Sequence, residues 1–464
     1  MKSIIHKVML FLALSSLLGS ITLAQTTSLP VKVSENGRYF VDQSDNPVFW
    51  LGTTQWELFR GFSQEDARII LQESRKNGFS FVQVKLMGQG DGTRPNVYGQ
   101  KAWINNDPLT PNEAYFKNVD AVIQMARDNQ LIILPSIFHQ SYRKYITVEN
   151  ARRWATWVAQ RYKNTPNIVW TTTPEARQDF VPIIRELAAG LREGDDGRHL
   201  ISFKPDPSPY SSDFLHAESW LDFNSMQTWN AVKLIYPMVA YDYNLKPAKP
   251  VLMAEGAYEA GFEYRFDVTP LWVRRQAYYS YLAGGHHTYG HNSNWRVLPT
   301  WKEDLNAPGA IQMGVLKKIF LARKEWWLLV PDQSLFASGG RVSDWPLPRE
   351  FATEQERTAY VHDLGPYESA GGQPTGNELL HLSARHQDGQ WAMFYLADKA
   401  SFRVNMSKLK PAKLNVLWVN PINGETTLVG QMSNSGVKSF STPEGWEDSL
   451  LVMEAVDSPA SSAR

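Results

Sequence analysis

Short apolar runs alternate with amphipathic helical patterns from about residue 30 to about residue 350. Apolar runs of this length, bounded by turn residues, are typical of buried strands, and apolar residues three and four apart are typical of helices. Strands that alternate with helices predict a parallel sheet, and eight such units predict a closed TIM (β/α)8 barrel of the α/β class. The eight predicted strands occupy residues 46–52, 79–86, 131–137, 168–170, 199–203, 222–227, 251–253 and 283–289.

Helix signals separate these runs. Ser63 and Asp66 have the spacing of a capping box, so they predict a helix that continues to Lys76 and stops at Gly78. Further helices are predicted over residues 115–129 and 148–162. The structural alternative is a doubly wound open sheet, but the glycine-rich phosphate turn that usually follows its first strand is not in the sequence.

The pattern changes after about residue 355. Short alternating segments are separated by turn residues such as Asp388-Gly389, which is typical of an antiparallel sandwich. We therefore predict a barrel over residues 25–355 and a β-sandwich over residues 356–464. The predicted sandwich strands occupy residues 379–384, 390–396, 401–405, 414–419, 425–429 and 448–453.

The N-terminus has the pattern of a secretory signal peptide. Lys2 and Lys7 precede an apolar run over residues 8–21, and small residues follow up to Ala24. We predict cleavage near Ala24, removal of residues 1–24, and an exported protein that is periplasmic or extracellular. A buried helix or a membrane anchor is the alternative for this run. No later segment is long and apolar enough to suggest a membrane span.

The composition and the missing motifs exclude or disfavour several classes of function. The 47 basic and 47 acidic residues balance, so no net charge attracts nucleic acid. The chain has no cysteine, which excludes disulfides, a thiol nucleophile and a cysteine-based zinc site. Because neither a G-x-S-x-G elbow nor a P-loop is present, serine-hydrolase and phosphate chemistry are disfavoured. We expect no cofactor and no metal.

Two carboxylates have the strongest functional pattern. Glu175 and Glu255 follow the fourth and seventh predicted strands. Residues at the C-terminal ends of barrel strands face the active site. A pair of carboxylates there is typical of the catalytic site of a glycoside hydrolase, whose substrate is an oligo- or polysaccharide. A structural ion pair is the alternative for Glu255. A solvated loop acid is the alternative for Glu175, with Asp179 as another possible acid.

We expect different roles for the two acids. Glu175 is predicted to be the acid/base, with its pKa raised by burial or by the charge of Glu255. Glu255 is predicted to be the nucleophile, kept ionised by hydrogen bonds from Tyr289 or His287.

Other polar and aromatic residues lie at or just past predicted strand ends, where core packing is an equally ordinary role. The glycine-, histidine- and tyrosine-rich segment 284–295 is the densest such cluster, but its histidines lack usual zinc-ligand spacing. The predicted substrate-binding residues are Trp56, Lys85, His139, Gln227, Trp229, Tyr258, His287, Tyr289 and His291, with Lys204 as a lesser candidate.

The chain resembles the apiosidase-like bacterial glycoside hydrolases, members of a retaining-glycosidase barrel superfamily, together with their C-terminal collagen-binding-like domain. The likeness covers nearly the whole mature chain, and residues 249–259 and 283–291 are its most specific stretches. The matching stretches are residues 49–59, 77–79, 166–170, 220–224, 249–259, 283–291 and, in the companion domain, 418–425.

The resemblance implies a barrel enzyme that removes a terminal sugar, with apiose on pectic side chains as the typical substrate. It implies that Glu255 is the catalytic glutamate. The family's other acid is an aspartate in a Gly-Gly-Asp motif, where this chain has Thr173-Pro174-Glu175, and Gly52-Thr53 replaces a Gly-Asp pair. There are two alternatives. One is an enzyme of the same fold that acts on an arabinoside, rhamnoside or galactoside, and the other is a non-catalytic glycan-binding protein. We expect the C-terminal domain to support the barrel rather than bind collagen.

Overall fold

The structure is a computed structural model that describes residues 27–207, 211–343 and 378–456, together with residues 353, 355, 356 and 359. The predicted signal peptide, residues 1–24, lies outside the described residues.

Eight parallel strands form a closed barrel, as the sequence predicts. Each strand pairs with the next along the chain, and the last pairs with the first, with His287 opposite Leu51. The strands are β1 Leu51–Thr54, β2 Phe81–Lys85, β3 Ile132–Ser136, β4 Trp170–Thr171, β5 Ile201–Phe203, β6 Phe223–Trp229, β7 Val251–Gly256 and β8 His286–Tyr289.

The helices lie between and after these strands. Ser63 caps the first helix, because its Oγ accepts a hydrogen bond from the Asp66 backbone N–H over 3.1 Å, and this confirms the predicted start. The helices are α1 Gln64–Lys76, α2 Glu113–Asp128, α3 Val148–Tyr162, α4 Val181–Asp195, α5 Ser211–Leu215, α6 Ile235–Asn244, α7 Pro270–Leu282, α8 Asn292–Arg296, α9 Trp301–Asp304 and α10 Pro308–Leu321.

A small antiparallel sheet closes the N-terminal end of the barrel. Its strands are Lys32–Val33, Phe40–Val41 and Pro47–Val48, so the first predicted strand, residues 46–52, is divided between this sheet and β1. The Phe40 ring stacks on Trp50 with 4.2 Å between centroids, and Trp50 stacks on Phe81 with 4.7 Å. Since these rings fill the N-terminal end, a substrate cleft belongs at the opposite end.

Two antiparallel sheets follow the barrel, which confirms the predicted sandwich. The strands are β9 Leu329–Pro331, β10 Phe336–Ser338, β11 His381–His386, β12 Trp391–Leu396, β13 Ser401–Asn405, β14 Lys413–Val419, β15 Thr426–Ser433, β16 Val437–Ser441 and β17 Ser449–Ala455. The six-stranded sheet has the spatial order β9, β11, β12, β17, β14, β15, and the three-stranded sheet has the order β10, β13, β16. Strands β9 and β10 precede residue 356, the predicted first residue of this domain.

Three strands of the six-stranded sheet, β11, β12 and β17, are buried on both faces, whereas the edge strand β15 is exposed. Phe394 and Val416 pack toward Phe402 of the three-stranded sheet, whereas Tyr395 belongs to the barrel-side core. The Tyr395 ring stacks on Tyr278 of α7 with 4.4 Å between centroids. This packing is in line with the expectation that the C-terminal domain supports the barrel.

Candidate functional site

Glu255 lies near the end of β7 and is held by the backbone around it. Gly256 follows it, and a Cβ at this position would lie 2.0 Å from Oε1 of Gln276 in α7. That oxygen accepts a hydrogen bond from the Ala257 backbone N–H over 2.7 Å, and Gln276 Nε2 donates to the Ala257 carbonyl over 3.0 Å. Glycine at position 256 therefore lets α7 fix the segment that carries the Glu255 carboxylate.

Lys204 is the direct partner of Glu255. Its ammonium, just past β5, forms an ion pair with Glu255 Oε2 and also donates to Gln227 Oε1 over 3.1 Å. Burial raises the pKa of Glu255, and the charge of Glu175 raises it further, whereas Lys204 opposes this shift. An ammonium in contact favours the ionised carboxylate that a nucleophile requires.

The hydrogen bonds that we expected from Tyr289 or His287 to Glu255 are not formed, so that prediction is wrong. The Tyr289 hydroxyl donates to Glu259 Oε2 over 2.5 Å. His287 Nδ1 lies 3.1 Å from Oγ of Ser280 in α7. Both side chains therefore contact the layer outside the barrel and not its interior.

The rest of segment 284–295 also serves packing. His291 caps α8, because its Nδ1 accepts a hydrogen bond from the Ser293 backbone N–H over 3.3 Å. A Cβ at Gly284 would lie 2.4 Å from the Tyr243 ring, so this glycine accommodates a protein side chain. His287, Tyr289 and His291 therefore form hydrogen bonds with residues other than Glu175 and Glu255.

Glu175 lies just beyond β4 in a turn that Thr173 holds. Thr173 Oγ1 accepts from the Glu175 backbone N–H over 3.1 Å and donates to the Glu175 carbonyl over 2.8 Å. A threonine hydroxyl that bonds the backbone two residues on stabilises a turn without requiring glycine. The Thr-Pro-Glu sequence therefore keeps an acid after strand four by local hydrogen bonding.

His139 contacts the Glu175 carboxylate. Its Nε2 lies 2.8 Å from Glu175 Oε2, while its Nδ1 lies 3.2 Å from the Ser141 backbone nitrogen and 2.5 Å from Ser141 Oγ. Burial lowers the pKa of His139, the charge of Lys85 lowers it further and Glu175 opposes the shift, so the neutral ring is favoured. Since a backbone N–H only donates, Nδ1 accepts and Nε2 carries the proton that is donated to Glu175.

The pKa of Glu175 is lowered, contrary to the raised value that we expected. Burial raises it, but Lys85, His139 and Lys204 together outweigh burial. The prediction fails because the neighbours of Glu175 include two cations and a hydrogen-bond donor from other strands, in addition to the negative charge of Glu255. In the free enzyme these neighbours favour the ionised form of Glu175.

Lys85 connects the two acids electrostatically. Its Nζ donates to Gln89 Oε1 over 2.7 Å, and the side chain is 2% exposed. Burial lowers the pKa of Lys85, while the charges of Glu175 and Glu255 raise it. An ammonium that interacts with both carboxylates shows that β2, β4 and β7 bring these three groups to one site.

Trp56 and Tyr258 complete the floor of this site. The ammonium groups of Lys85 and Lys204 each lie 5.3 Å from the Trp56 ring centroid. Trp56 Nε1 donates to the Tyr258 hydroxyl over 3.0 Å. Cations over an indole face are stabilised by its quadrupole, so Trp56 helps to hold both lysines in a buried position.

Trp229 lies at the end of β6 in a left-handed backbone conformation with φ of 49°. This conformation is unfavourable for a bulky residue and is a recurrent feature of functional sites. Trp229 Nε1 donates to Gln227 Oε1 over 3.0 Å, the same oxygen that Lys204 contacts. Trp229 and Gln227 thus belong to the hydrogen-bond network around Glu255.

Three residues of the site have weak or no signals in the sequence: Lys204 was only a lesser candidate, and Glu57 and Ser141 were not predicted. Lys204 directly follows a strand, and that position was its available signal. Glu57 follows Trp56 and accepts from the Gln89 backbone N–H over 2.9 Å, which anchors the loop that supplies the partner of Lys85. Ser141 had no such signal, because its role depends on the contact between His139 and Glu175.

Within the described ranges, no group of three or more histidine, cysteine or carboxylate residues is placed to hold a metal ion. Among the helices of the same ranges, none has both the length and the apolar character that a membrane crossing requires.

Two family models match parts of this chain. A family model described as the apiosidase-like catalytic domain matches residues 34–327, and one described as a collagen-binding domain of a collagenase matches residues 372–454. No curated protein matches the chain.

Solved structures of similar fold include two glycoside hydrolases. One, named glycoside hydrolase, is 25% identical with a TM-score of 0.78, and the alignment covers 93% of this chain and 99% of that chain. A glycoside hydrolase family 5 protein from Bacteroides vulgatus is 23% identical with a TM-score of 0.77, with 92% of this chain and 93% of that chain covered. The apiosidase-like catalytic model spans more than half of the sequence, and the chain therefore belongs to the apiosidase-like family of glycoside hydrolases.

Proposed function

We propose that this enzyme removes a terminal sugar from plant or algal polysaccharide and that Glu175 and Glu255 are its catalytic carboxylates. The observation that supports this proposal is the convergence of strand ends: Glu175 lies just beyond β4 and Glu255 near the end of β7, Lys204 pairs with Glu255, and Lys85 and Lys204 lie over the same Trp56 ring. Two interacting carboxylates at the C-terminal end of a barrel can supply the proton and the nucleophile for glycosidic cleavage.

Exposure distinguishes the proposed roles. The side chain of Glu175 is 20% exposed, whereas that of Glu255 is 6% exposed. An acid/base must reach the departing oxygen and exchange protons with water, which suits Glu175. The buried Glu255, paired with Lys204, suits the nucleophile that attacks the anomeric carbon.

The reaction then proceeds in two balanced steps. Glu175 gives its proton to the glycosidic oxygen while Glu255 forms a bond to the anomeric carbon, and the aglycone leaves as an alcohol. Water next attacks that carbon, Glu175 takes a proton from the water, and Glu255 is released. The hydrogen bond from His139 occupies Oε2 of Glu175, so Oε1 is the oxygen left to carry the proton.

The pH dependence follows from the pKa shifts of both carboxylates. The first step requires protonated Glu175 and ionised Glu255, whereas the lowered pKa of Glu175 and the raised pKa of Glu255 favour the opposite arrangement in the free enzyme. The active form is therefore a minor part of the singly protonated enzyme, and activity should fall as the pH drops below the lower pKa of the pair and as it rises above the higher one. Replacing Lys85 by Met removes a nearby positive charge, so we expect the limbs of the kcat/KM profile to move to higher pH.

The measurement is kcat/KM against pH for wild type and Lys85→Met. Lys101→Met is the control, since Lys101 is an exposed lysine beyond the same strand. A profile that keeps its limbs in the Lys85 variant would contradict the proposed influence of this ammonium on the carboxylates.

The sugar that we propose is apiose or a related residue, supported by membership in the apiosidase-like family. Sugar release from a panel of plant and algal polysaccharides, together with aryl apiosides, arabinosides, rhamnosides and galactosides, tests this proposal. Release of apiose supports it, and release of another sugar only reassigns the substrate. Glycan binding without release of any sugar would favour the non-catalytic alternative.

We also propose export, with a periplasmic or extracellular location. The support is the charged and apolar pattern of residues 1–24, which lie outside the described residues. The intact mass of the protein recovered from its native host tests this: a mature chain that begins near Gln25 is expected, and a chain that retains residues 1–24 would contradict it.

A further inference from the structure

Phe262 is an exposed aromatic residue at the catalytic end of the barrel. It lies in the segment between β7 and α7, a few residues beyond Glu255, and is 72% exposed. Single exposed apolar residues are common on protein surfaces and need no special explanation. The surroundings of this ring, however, give it a fixed position.

Arg296 stacks between Phe262 and Trp295. Its guanidinium carbon lies 4.7 Å from the Phe262 ring centroid and 4.1 Å from the Trp295 ring centroid. Its Nε donates to Asn292 Oδ1 over 2.9 Å, and its Nη2 forms an ion pair with Glu263 Oε1 over 3.3 Å. These contacts hold the guanidinium, and cation–π attraction holds the phenyl ring against it.

The stack continues into the catalytic site. The Trp295 ring meets Tyr258 edge to face with 6.3 Å between centroids. The Tyr258 hydroxyl accepts a hydrogen bond from Trp56, whose ring faces Lys85 and Lys204. A contiguous line of aromatic rings, joined by the Arg296 guanidinium, therefore runs from the lysines beside the two carboxylates to the exposed face of Phe262.

We propose that Phe262, supported by Arg296 and Trp295, is a glycan-binding subsite that stacks on a sugar ring of the leaving group, beyond the scissile bond. This inference rests on the proposed function. The apolar C–H face of a pyranose or furanose ring packs on an aromatic face, and an adjacent guanidinium donates to hydroxyl groups. The ligand class is thus a neutral or acidic oligosaccharide chain that carries the terminal sugar.

The test measures kcat/KM of wild type and of Phe262→Ala on two kinds of substrate. An oligosaccharide substrate contacts the subsite, whereas an aryl glycoside of the same terminal sugar has no second sugar ring. We expect kcat/KM to fall about tenfold on the oligosaccharide, the size of a lost aromatic contact, with little change on the aryl glycoside. Arg296→Gln should have the same selective effect because it releases the Phe262 ring.

Tyr241→Ala is the matched control, since the Tyr241 ring is 42% exposed on the outer helix α6. Tyr241→Ala should leave kcat/KM unchanged on both substrates. Equal losses on both substrates in Phe262→Ala would assign a structural role to the ring, and an unchanged oligosaccharide rate would overturn the subsite.

A binding assay separates this inference from the proposed chemistry. Affinity electrophoresis in gels that contain the polysaccharide, with Phe262 intact or replaced in the Glu255→Gln background, needs no turnover. Weaker retardation of the Phe262→Ala protein supports the subsite even if Glu255 proves not to be catalytic. Equal retardation overturns the subsite even if hydrolysis is established.

Discussion

Replacing Glu255 by Gln is expected to lower turnover by about 10⁴-fold or more, the scale seen when a nucleophile is removed. Gln cannot attack the anomeric carbon, yet its carbonyl oxygen can still accept a hydrogen bond from Lys204. Initial rates of sugar release, measured with the same substrate for wild type and variant, give the size of the loss.

The same substitution should leave the fold and sugar binding largely intact. The thermal midpoint of the variant and its affinity for the polysaccharide are the controls, because a misfolded protein would lose both. A variant that binds the glycan and still turns it over at a substantial fraction of the wild-type rate would refute the role of Glu255.

Replacing Asp448 by Ala is expected to destabilise the protein by about 3–5 kcal/mol, the range for breaking a buried ion pair. Asp448 accepts from Arg274 Nη2 over 2.7 Å, from Arg274 Nε over 3.1 Å and from the Tyr395 hydroxyl over 2.6 Å. Alanine leaves the buried guanidinium of Arg274 without its buried carboxylate partner at the junction of barrel and sandwich, with only the more distant, exposed Glu447 carboxylate at 3.7 Å. Denaturant unfolding measures the change in the free energy of unfolding.

The control for Asp448→Ala is Glu193→Ala. Glu193 pairs with Arg152 on the surface, where the side chains are 52% and 48% exposed, and exposed pairs contribute less than about 1 kcal/mol. Similar small effects in both variants would contradict the view that the sandwich stabilises the barrel through this contact.

The architecture of the barrel and the convergence of strand-end residues followed from the sequence. Alternating apolar and amphipathic segments identify the strands, and strand ends in a closed barrel share one edge. That reasoning placed Glu175, Lys85 and His139 at one site, although they are distant along the chain.

The orientation of side chains on β8 could not be predicted in the same way. Neighbouring residues of a strand face opposite sides, so the face of His287 and Tyr289 depends on strand register. The segment is buried throughout, and its composition therefore does not reveal which face meets the helices. Tyr289 contacts Glu259 instead of Glu255 for this reason.

The direction of the pKa shift of Glu175 could not be predicted from the sequence either. It depends on the distances of Lys85, His139 and Lys204 from one carboxylate, and these residues come from three other strands or their loops. Burial alone would have raised the pKa of Glu175, as expected. Lys85, His139 and Lys204 reverse the direction of this pKa shift.

The division of labour between the carboxylates is tested most directly by leaving-group dependence. Rates of Glu175→Gln and Glu255→Gln are measured on the natural glycan and on a dinitrophenyl glycoside of the same sugar, whose leaving group needs no proton. We predict that kcat/KM of Glu175→Gln falls about 10²–10⁴-fold on the glycan but little on the dinitrophenyl glycoside, because kcat/KM reports the first step, while Glu255→Gln fails on both. If Glu175→Gln keeps its activity on the glycan, or if the dinitrophenyl glycoside restores Glu255→Gln instead, the account is contradicted.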